Sequence, residues 1–473
     1  MVKPKFYITN AIPYVNAKPH IGHALEFIQS DTIRRYHILK NEEVLLLCGG
    51  DENAVKNVQA AENAGEKIQS FVDKNASYFQ NLAKELNVQF DVFQKGSNSD
   101  HHSSSKKLWE LCAKNDDIYK KSYKGLYCVG CEQFYTKEEL NEEVECFEHP
   151  GKPLEEVEEE NYFFKLSEYQ DDLIKLIESD EYQIIPQFRK NEVLSLLRSG
   201  LQDFSISRSN KRARNWGVEV PGDSEQRIYV WFDALNIYQS GVGFGGDENK
   251  YNKWWPADLH VIGKGIIRFH AVYWPAILLS AGLNLPKKLF VHEYFTVDGQ
   301  KMSKTIGNVL DPIPLVEKYG ADAVRYYCLA KMSPFQDGDI SVEKVQEAYN
   351  ADLANGLGNL IARVAKLAER SGFVANEHEA KLDPEVVKSI EDFKFNEAIS
   401  WIWSIIAIAD QRINQTEPWK LSGTELKEVL DELVSLIQRI AFNLQPFMPE
   451  TAEKILQQFQ GEVKAQSPLF PRI

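Results

Sequence analysis

Residues 5–27 read KFYITNAIPYVNAKPHIGHALEF. The run KFYIT has the aromatic and β-branched content of a short strand. From Ile21 onward, apolar residues at Ile21, Leu25, Ile28 and Tyr36 form a loose helical stripe. A second apolar run, EVLLLCGGD, ends in Gly-Gly-Asp at Asp51. Strand, helix and strand in this order predict a βαβ unit on a parallel sheet. The same grammar returns later in LHVIGKG, in the helical IIRFHAVYWPAILLSAG and in the strand-like KLFVHEYF. The expected fold is therefore α/β, with a parallel sheet written in two halves and a long insertion between them.

The chain has 473 residues, enough for two to four domains with a well-buried core. No apolar run approaches the ~20 residues that span a bilayer, and the N-terminus lacks a long apolar secretory segment; a cytoplasmic location is expected. The formal net charge of −15 argues against a coat of basic nucleic-acid contacts and leaves room for a local basic groove. The insertion, about residues 116–226, holds a cysteine cluster, the acidic run EEVEEEN and the basic patch SRSNKRARNWG. The acidic run reads as solvated surface. Beyond about residue 345 the pattern is helical. Ile399, Trp403, Ile406 and Ile413 share one face, as do Leu426, Leu430, Leu433, Ile437, Ile440 and Leu444, until Pro446 and Pro449 break the period. This predicts a C-terminal helix bundle.

Two constellations carry chemistry. YCVGCEQFYTKEELNEEVECFEHP sets Cys128-x-x-Cys131 before Cys146-x-x-His149. Two such pairs complete a tetrahedron, and four protein ligands imply a closed, structural zinc site; the metal would hold a knuckle too poor in apolar residues to fold alone. In DGQKMSKTIGN, Asp298-Gly299 suits a tight turn, and Lys301 and Lys304 follow on a glycine-flanked loop. Two mobile ammonium groups suit a polyphosphate that gains charge during reaction. A loop of this kind standing alone reads as solvated surface, as does a lone His20/His23 pair at a helix start.

They do not stand alone. PHIGH early and KMSKT late, in this order, resemble the two signatures of class I aminoacyl-tRNA synthetases. AIPYVNAKPHIGHA, YVWFDALNIY, FHAVYWPA and PFMPETAEKI narrow the resemblance to the methionyl-tRNA synthetase family, over about residues 6–471. The Cys128/Cys131/Cys146/His149 knuckle lies where that family carries zinc in its connective insertion.

The resemblance implies a Rossmann-type fold that activates methionine with ATP and transfers it to the 3′ end of tRNA. It divides the chain into a first catalytic half (1–115), a connective insertion (116–226), a second catalytic half (227–294), a KMSK-loop stem-contact region (295–345) and an anticodon-binding bundle (346–473). His20 and His23 would hydrogen-bond the phosphates near a helix N-terminus. Gly22 would leave room for the adenine, with Gly263 also in the ATP site, and Lys301 and Lys304 would stabilise the departing pyrophosphate. Mg2+ would accompany ATP. No residue need act as nucleophile or general base, because the substrate carboxylate is already charged. The methionine pocket would comprise Ile12, Tyr14, Trp231, Ala234, Leu235, Tyr238, Ile266, His270 and Trp274, whose rings suit a polarisable thioether. Asp51 would pair with the substrate ammonium. Taken singly, each aromatic reads as core before pocket, whereas Asp51 after a Gly-Gly turn is a fair functional candidate by itself. Asn359 and Arg363, four residues apart on one helix face, and Trp419 after Pro418 would read an unstacked anticodon loop; without the family pattern, Trp419 reads equally as a buried helix-end anchor.

The sequence departs from the family pattern in three places. Gly265 stands where an acidic residue is frequent, which leaves recognition of the ATP ribose open. Asn53 and Ala54 replace a common His-Gly pair, and Thr305 replaces Ser. A synthetase for leucine, isoleucine or valine needs a large editing domain, because one methylene discriminates by only ~1–3 kcal/mol; the span from His23 to Lys301 leaves little room for one. A non-catalytic tRNA-binding paralogue would lack signature residues, and none is missing. The end at PLFPRI, where some family members continue, favours a monomer.

Overall fold

The computed structural model describes residues 3–128, 133–135, 140, 145–146, 154–302, 307–376 and 381–473. The chain forms two compact units. Unit 1 comprises Met1–Pro19, Asn41–Asn81 and Gln89–His292; unit 2 comprises His20–Lys40, Leu82–Val88 and Glu293–Ile473.

Unit 1 is built on a six-stranded parallel sheet. Its strands are β1 (Lys5–Asn10), β2 (Glu43–Gly50), β3 (Val92–Lys95), β4 (Gln183–Ile185), β5 (Leu259–Gly263) and β6 (Lys288–His292). Their order is β3-β2-β1-β5-β6-β4. Such sheets are covered on both faces, so their strands are nearly continuous apolar runs; β2 is buried from Leu45 and β5 throughout. β4 lies within the stretch that the sequence assigns to the insertion. Its three residues, QII, are shorter than any periodic signal, and they pair with Lys288–Phe290 of β6. The order reverses between β1 and β5, and open α/β sheets bind ligands outside the carboxyl ends of strands at such a switch point.

The acidic run is a strand, Glu155–Phe164, in a separate sheet, where it pairs antiparallel with Ile118–Cys128. Glu155, Glu156, Glu158 and Glu160 are exposed, while Val157 and Asn161 are buried. One face is thus solvated as expected, and the other packs. The helix predicted over IIRFHAVYWPAILLSAG is interrupted by a π-turn at Phe269–Tyr273, just before Trp274–Ser280. Pro275 has no N–H for the preceding turn, so the ladder widens there.

Unit 2 is mainly helical. Helices Phe395–Thr416 and Gly423–Leu444 pack together through the faces the periodicity marks, with Ile399, Ile406, Ile413, Leu430, Leu433, Ile437, Ile440 and Leu444 buried. Leu426 and Trp403 are only partly buried. The second helix ends at Leu444, and Pro449 opens the next, where a missing N–H is harmless. Arg325 is fully buried and ties three segments of the unit together. Its guanidinium lies 2.8 Å from Asp31, itself fully buried in helix Ile21–Leu39, and donates to the carbonyls of Leu86, Pro446 and Phe447. Among the described residues no helix is long and apolar enough to cross a membrane.

Candidate active site and tRNA-recognition surface

In unit 1 the predicted methionine residues cluster beyond the carboxyl ends of the central strands. Ile12 and Tyr14 follow β1, Asp51 follows β2, and Ile266 follows Gly263 at the end of β5. Asp51 forms an isolated parallel bridge with Tyr14, and its N–H donates to the Pro13 carbonyl at 2.9 Å. The carboxylate is thereby tied by backbone to the segment that carries the first wall. Tyr14 meets Trp231 edge-on, with centroids 6.1 Å apart, and Trp231 stacks flat on Phe269 at 3.6 Å. Trp231, Ala234, Leu235, Tyr238 and Trp274 belong to the buried core, while Ile12, Tyr14 and Ile266 pack against it and keep partial exposure. The wall candidates are therefore both core and wall: six, His270 among them, are buried, and three keep accessible surface. The fully buried Trp274 indole N–H has no acceptor among the described residues, a rare state for a buried donor.

His270 and Tyr238 are hydrogen-bonded to one another. Nδ1 of His270 lies 3.0 Å from the Ile266 carbonyl, so it carries the proton; Nε2 then accepts from the Tyr238 hydroxyl at 2.8 Å. Burial pushes the His270 imidazole down to about 4, partly opposed by the Ile266 carbonyl. His260, tilted against Tyr238 with ring centroids 4.5 Å apart, is held well below its ordinary value by burial and then by His270. At neutral pH both imidazoles are uncharged, and both nitrogens of His270 are engaged, which suits an apolar, polarisable side chain rather than a charged one.

The phosphate candidates lie in unit 2. His20 is the N-cap of helix Ile21–Leu39, with extended backbone. Its Nδ1 accepts from the Gly22 N–H at 3.1 Å, and its own N–H donates to Nδ1 of His23 at 3.1 Å. The two rings sit 4.0 Å apart. An Nδ1 that accepts carries no proton, so each neutral ring bears its N–H at Nε2. The remaining first-turn donors are also engaged: Ile21 N–H with the Leu310 carbonyl and His23 N–H with the His20 carbonyl. The first-turn amides serve the cap, and a neutral imidazole with its proton at Nε2 has the donor chemistry that suits an anion. Gly22 has a local cause as well: a Cβ there would lie 2.9 Å from the His20 ring.

Thr296–Val297 and Gln300–Lys301 form the predicted hairpin, turning through Asp298 and Gly299, both at positive φ. The Lys301 side chain and Lys304, with Thr305, lie outside the described residues, as do Cys131 and His149. Cys128 closes the strand Ile118–Cys128, and Cys146 is fully buried with its thiol 3.5 Å from the Tyr135 hydroxyl. Among the described residues no group of three metal-ligating side chains occurs.

Asn359 is exposed at the start of helix Gly358–Ser371. Arg363, one turn on, lies 3.5 Å from Asp410. Trp419 sits in a short 3-10 turn, Pro418–Lys420, after Glu417 takes a left-handed conformation. It is 50% exposed, which a buried helix-end anchor would not be. A cleft of about 550 Å³ runs beside it, walled by Leu367, Arg370, Leu426 and Lys427. Asn359 and Arg363 do not line that cleft, although Leu367 and Arg370 continue their helix. Sequence reading passed over His101 and Asp233, which are buried in unit 1 and hydrogen-bonded to each other. The signal available was a carboxylate inside the apolar run YVWFDALNIY.

Comparison with known proteins identifies the family. The family described as tRNA synthetases class I (M) matches residues 6–365. Methionine–tRNA ligase of Thermotoga maritima is 40% identical over 482 residues, covering 97% of this chain and 76% of that protein. The enzyme of Brucella suis is 40% identical over 475 residues, covering 96% and 92%. The crystal structure of Mycobacterium tuberculosis methionyl-tRNA synthetase bound by methionyl-adenylate matches with a TM-score of 0.91 at 36% identity, over 99% of this chain and 100% of that one. The chain belongs to the class I methionyl-tRNA synthetases, the methionine–tRNA ligases.

Proposed function

We propose that the activity of this methionine–tRNA ligase is divided between the two units: unit 1 recognises methionine, while unit 2 carries the phosphate chemistry and reads tRNA. The observation that carries the proposal is the Tyr14–Asp51 bridge with Tyr14 edge-on to Trp231. It joins a carboxylate suited to the substrate ammonium to an aromatic wall suited to its thioether. Ile12, Ala234, Leu235, Tyr238, Ile266, His270 and Trp274 complete the wall.

The substrate carboxylate attacks the α-phosphate of ATP, and pyrophosphate leaves. His20 and His23, each with its proton at Nε2, donate to the phosphate oxygens as charge builds, and Lys301 and Lys304 follow the pyrophosphate. Gly22 and Gly263 admit the nucleotide. Mg2+ bound to the ATP substrate would offset part of the phosphate charge. A terminal hydroxyl at the 3′ end of tRNA takes the acyl group of the resulting methionyl-adenylate, forming an ester as the acyl–phosphate bond breaks and AMP leaves, while the anticodon of the tRNA meets Asn359, Arg363 and Trp419. The domain division at residues 115, 226, 294 and 345, a cytoplasmic location and a monomeric state belong to the same reading.

The connective insertion takes one structural zinc. The thiols of Cys128 and Cys146 are shielded from solvent, at 2% and 0% exposure, and such soft, desolvated donors suit Zn2+. Cys131 and His149 complete the set by spacing, and the bound ion would stabilise the knuckle without entering the reaction.

Methionine-dependent ATP–pyrophosphate exchange tests the amino-acid side. Asp51→Asn should raise the methionine KM about tenfold or more, the cost of a lost charge-assisted hydrogen bond, with the ATP KM unchanged; an unaltered methionine KM would refute the role. Metal analysis tests the knuckle: one zinc per chain is expected, and full retention of zinc in a Cys128→Ser/Cys131→Ser variant would contradict the ligand set.

A further inference from the structure

Beneath the proposed methionine site lies a buried polar network to which no catalytic step assigns a role. Asp233 is 1% exposed, and both of its oxygens are occupied. Oδ1 accepts from the Ser105 hydroxyl at 2.6 Å and lies 3.0 Å from Nε2 of His101. Oδ2 accepts from Nδ2 of Asn53 at 2.7 Å. Nδ1 of His101 meets the Ser240 hydroxyl at 2.8 Å, and His101 is fully buried. Three hydrogen-bond partners converge on one carboxylate, and they offset the desolvation that would otherwise favour its neutral form. Burial pushes the Asp233 carboxyl up, but His101 and Ser105 outweigh it, and the group stays below its ordinary range.

The position of this carboxylate in the chain gives it meaning. Asp233 lies in the short helix Val230–Ala234, two residues beyond Trp231 and next to Ala234 and Leu235. Asn53 lies two residues beyond Asp51. Its Nδ2 reaches two acceptors, Asp233 Oδ2 and the Gly96 carbonyl at 2.8 Å, so the orientation of the amide is unambiguous. The intervening residue is also fixed: the Glu52 carbonyl accepts from the Trp216 indole at 2.8 Å, and its carboxylate accepts from the Ser97 N–H at 3.0 Å. Asn57 Nδ2 holds the Asp51 carbonyl at 2.8 Å. The turn bearing Asp51 is thus rigid, and the Asn53–Asp233 bond couples it to the helix that bears Trp231.

We propose that Asn53 and Asp233 are positioning residues that set the spacing between the ammonium acceptor Asp51 and the aromatic wall at Trp231, so that a ligand gains from both ends only when its ammonium and thioether match that spacing. This rests on the methionine reading above. It also gives Asn53, a departure from the family pattern, a function particular to this chain: its amide supplies the donor that the carboxylate of Asp233 requires.

The test compares binding of L-methionine with binding of its des-amino analogue, 4-(methylthio)butanoate, which has the thioether but no ammonium. In the parent enzyme the first should bind far more tightly. Asn53→Leu, similar in shape but without the donor, should reduce that preference about tenfold, mainly by weakening methionine, with the ATP KM within twofold of the parent. If the leucine variant does not fold, Asn53→Ser, whose hydroxyl is too short to span to Asp233, is read in the same way. Asp51→Asn is measured alongside. If Asp51→Asn abolishes the preference while both Asn53 variants keep it, the positioning role is overturned and the ammonium reading stands. If Asp51→Asn keeps the preference, the ammonium reading fails and the positioning role with it. Parallel weakening of both ligands with a fall in melting temperature would mark Asn53 as merely structural and overturn the proposal.

Discussion

Trp231 in unit 1 and Trp419 in unit 2 are the same side chain held in opposite ways. Trp231 is 8% exposed, stacked on Phe269 and met edge-on by Tyr14. Trp419 is 50% exposed on a three-residue turn beside an open cleft. The difference follows from what each would recognise. A thioether offers few atoms and gains from a preformed, desolvated wall, so the recognising ring is also a core ring. An unstacked base brings its own large face, so the recognising ring need only be accessible. Changes at the first should therefore couple binding to stability, and changes at the second should alter binding alone.

The largest effect should come from Trp231→Ala. Loss of a buried, doubly packed indole costs about 3–5 kcal/mol, read as a lower unfolding midpoint in denaturant, together with loss of methionine binding. A normal midpoint with weakened binding would break the comparison, because it would make Trp231 a wall without a core role. Next comes a residue that belongs to neither class. His23→Ala removes the proposed donor to the transition state and should lower the rate of adenylate formation about 10²–10³-fold, with little change in methionine affinity. A raised methionine KM at normal turnover would refute it.

The buried imidazoles give the comparison a pH dependence. Folded His270 titrates near 4, whereas in the unfolded chain it takes up its proton near the ordinary value of about 6.5. Between those values the unfolded state binds more protons, so the stability contribution is complete above about 6.5 and is lost as pH falls toward about 4, up to about 3 kcal/mol. Denaturant unfolding of the parent should show that slope, and His270→Gln should make it shallower while His260, also held low, keeps part of it; an equal slope in both would contradict the neutral, buried state of His270. The smallest effect is expected at Trp419→Ala: charging of tRNA should fall by the ~1–3 kcal/mol of a base–aromatic stack, with the melting temperature near that of the parent. A large drop in melting temperature would place Trp419 in the same class as Trp231.

Much of this arrangement was legible in the sequence. Long apolar runs that end in turns marked β1, β2, β5 and β6, and the helical period marked the buried faces of the 395–416 and 423–444 helices. What escaped was short or non-local. β4 is three residues long. The π-turn at His270 depends on how the ladder adjusts to Pro275. The mutual capping of His20 and His23 depends on ring orientation, which no motif encodes. The pairs Asp31–Arg325 and Asn53–Asp233 join residues far apart in sequence, and no spacing rule connects them. Leu426 matches the buried stripe of its helix yet lines the cleft beside Trp419, because periodicity reports a face and not what covers it.

The central claim is that amino-acid recognition and anticodon recognition are physically separate. The most direct measurement is methionine-dependent ATP–pyrophosphate exchange, without tRNA, on Trp231→Ala and Trp419→Ala under conditions where both remain folded. The account predicts exchange lost or severely impaired in the first and within twofold of the parent in the second. Impaired exchange in Trp419→Ala, or normal exchange in Trp231→Ala, would contradict it.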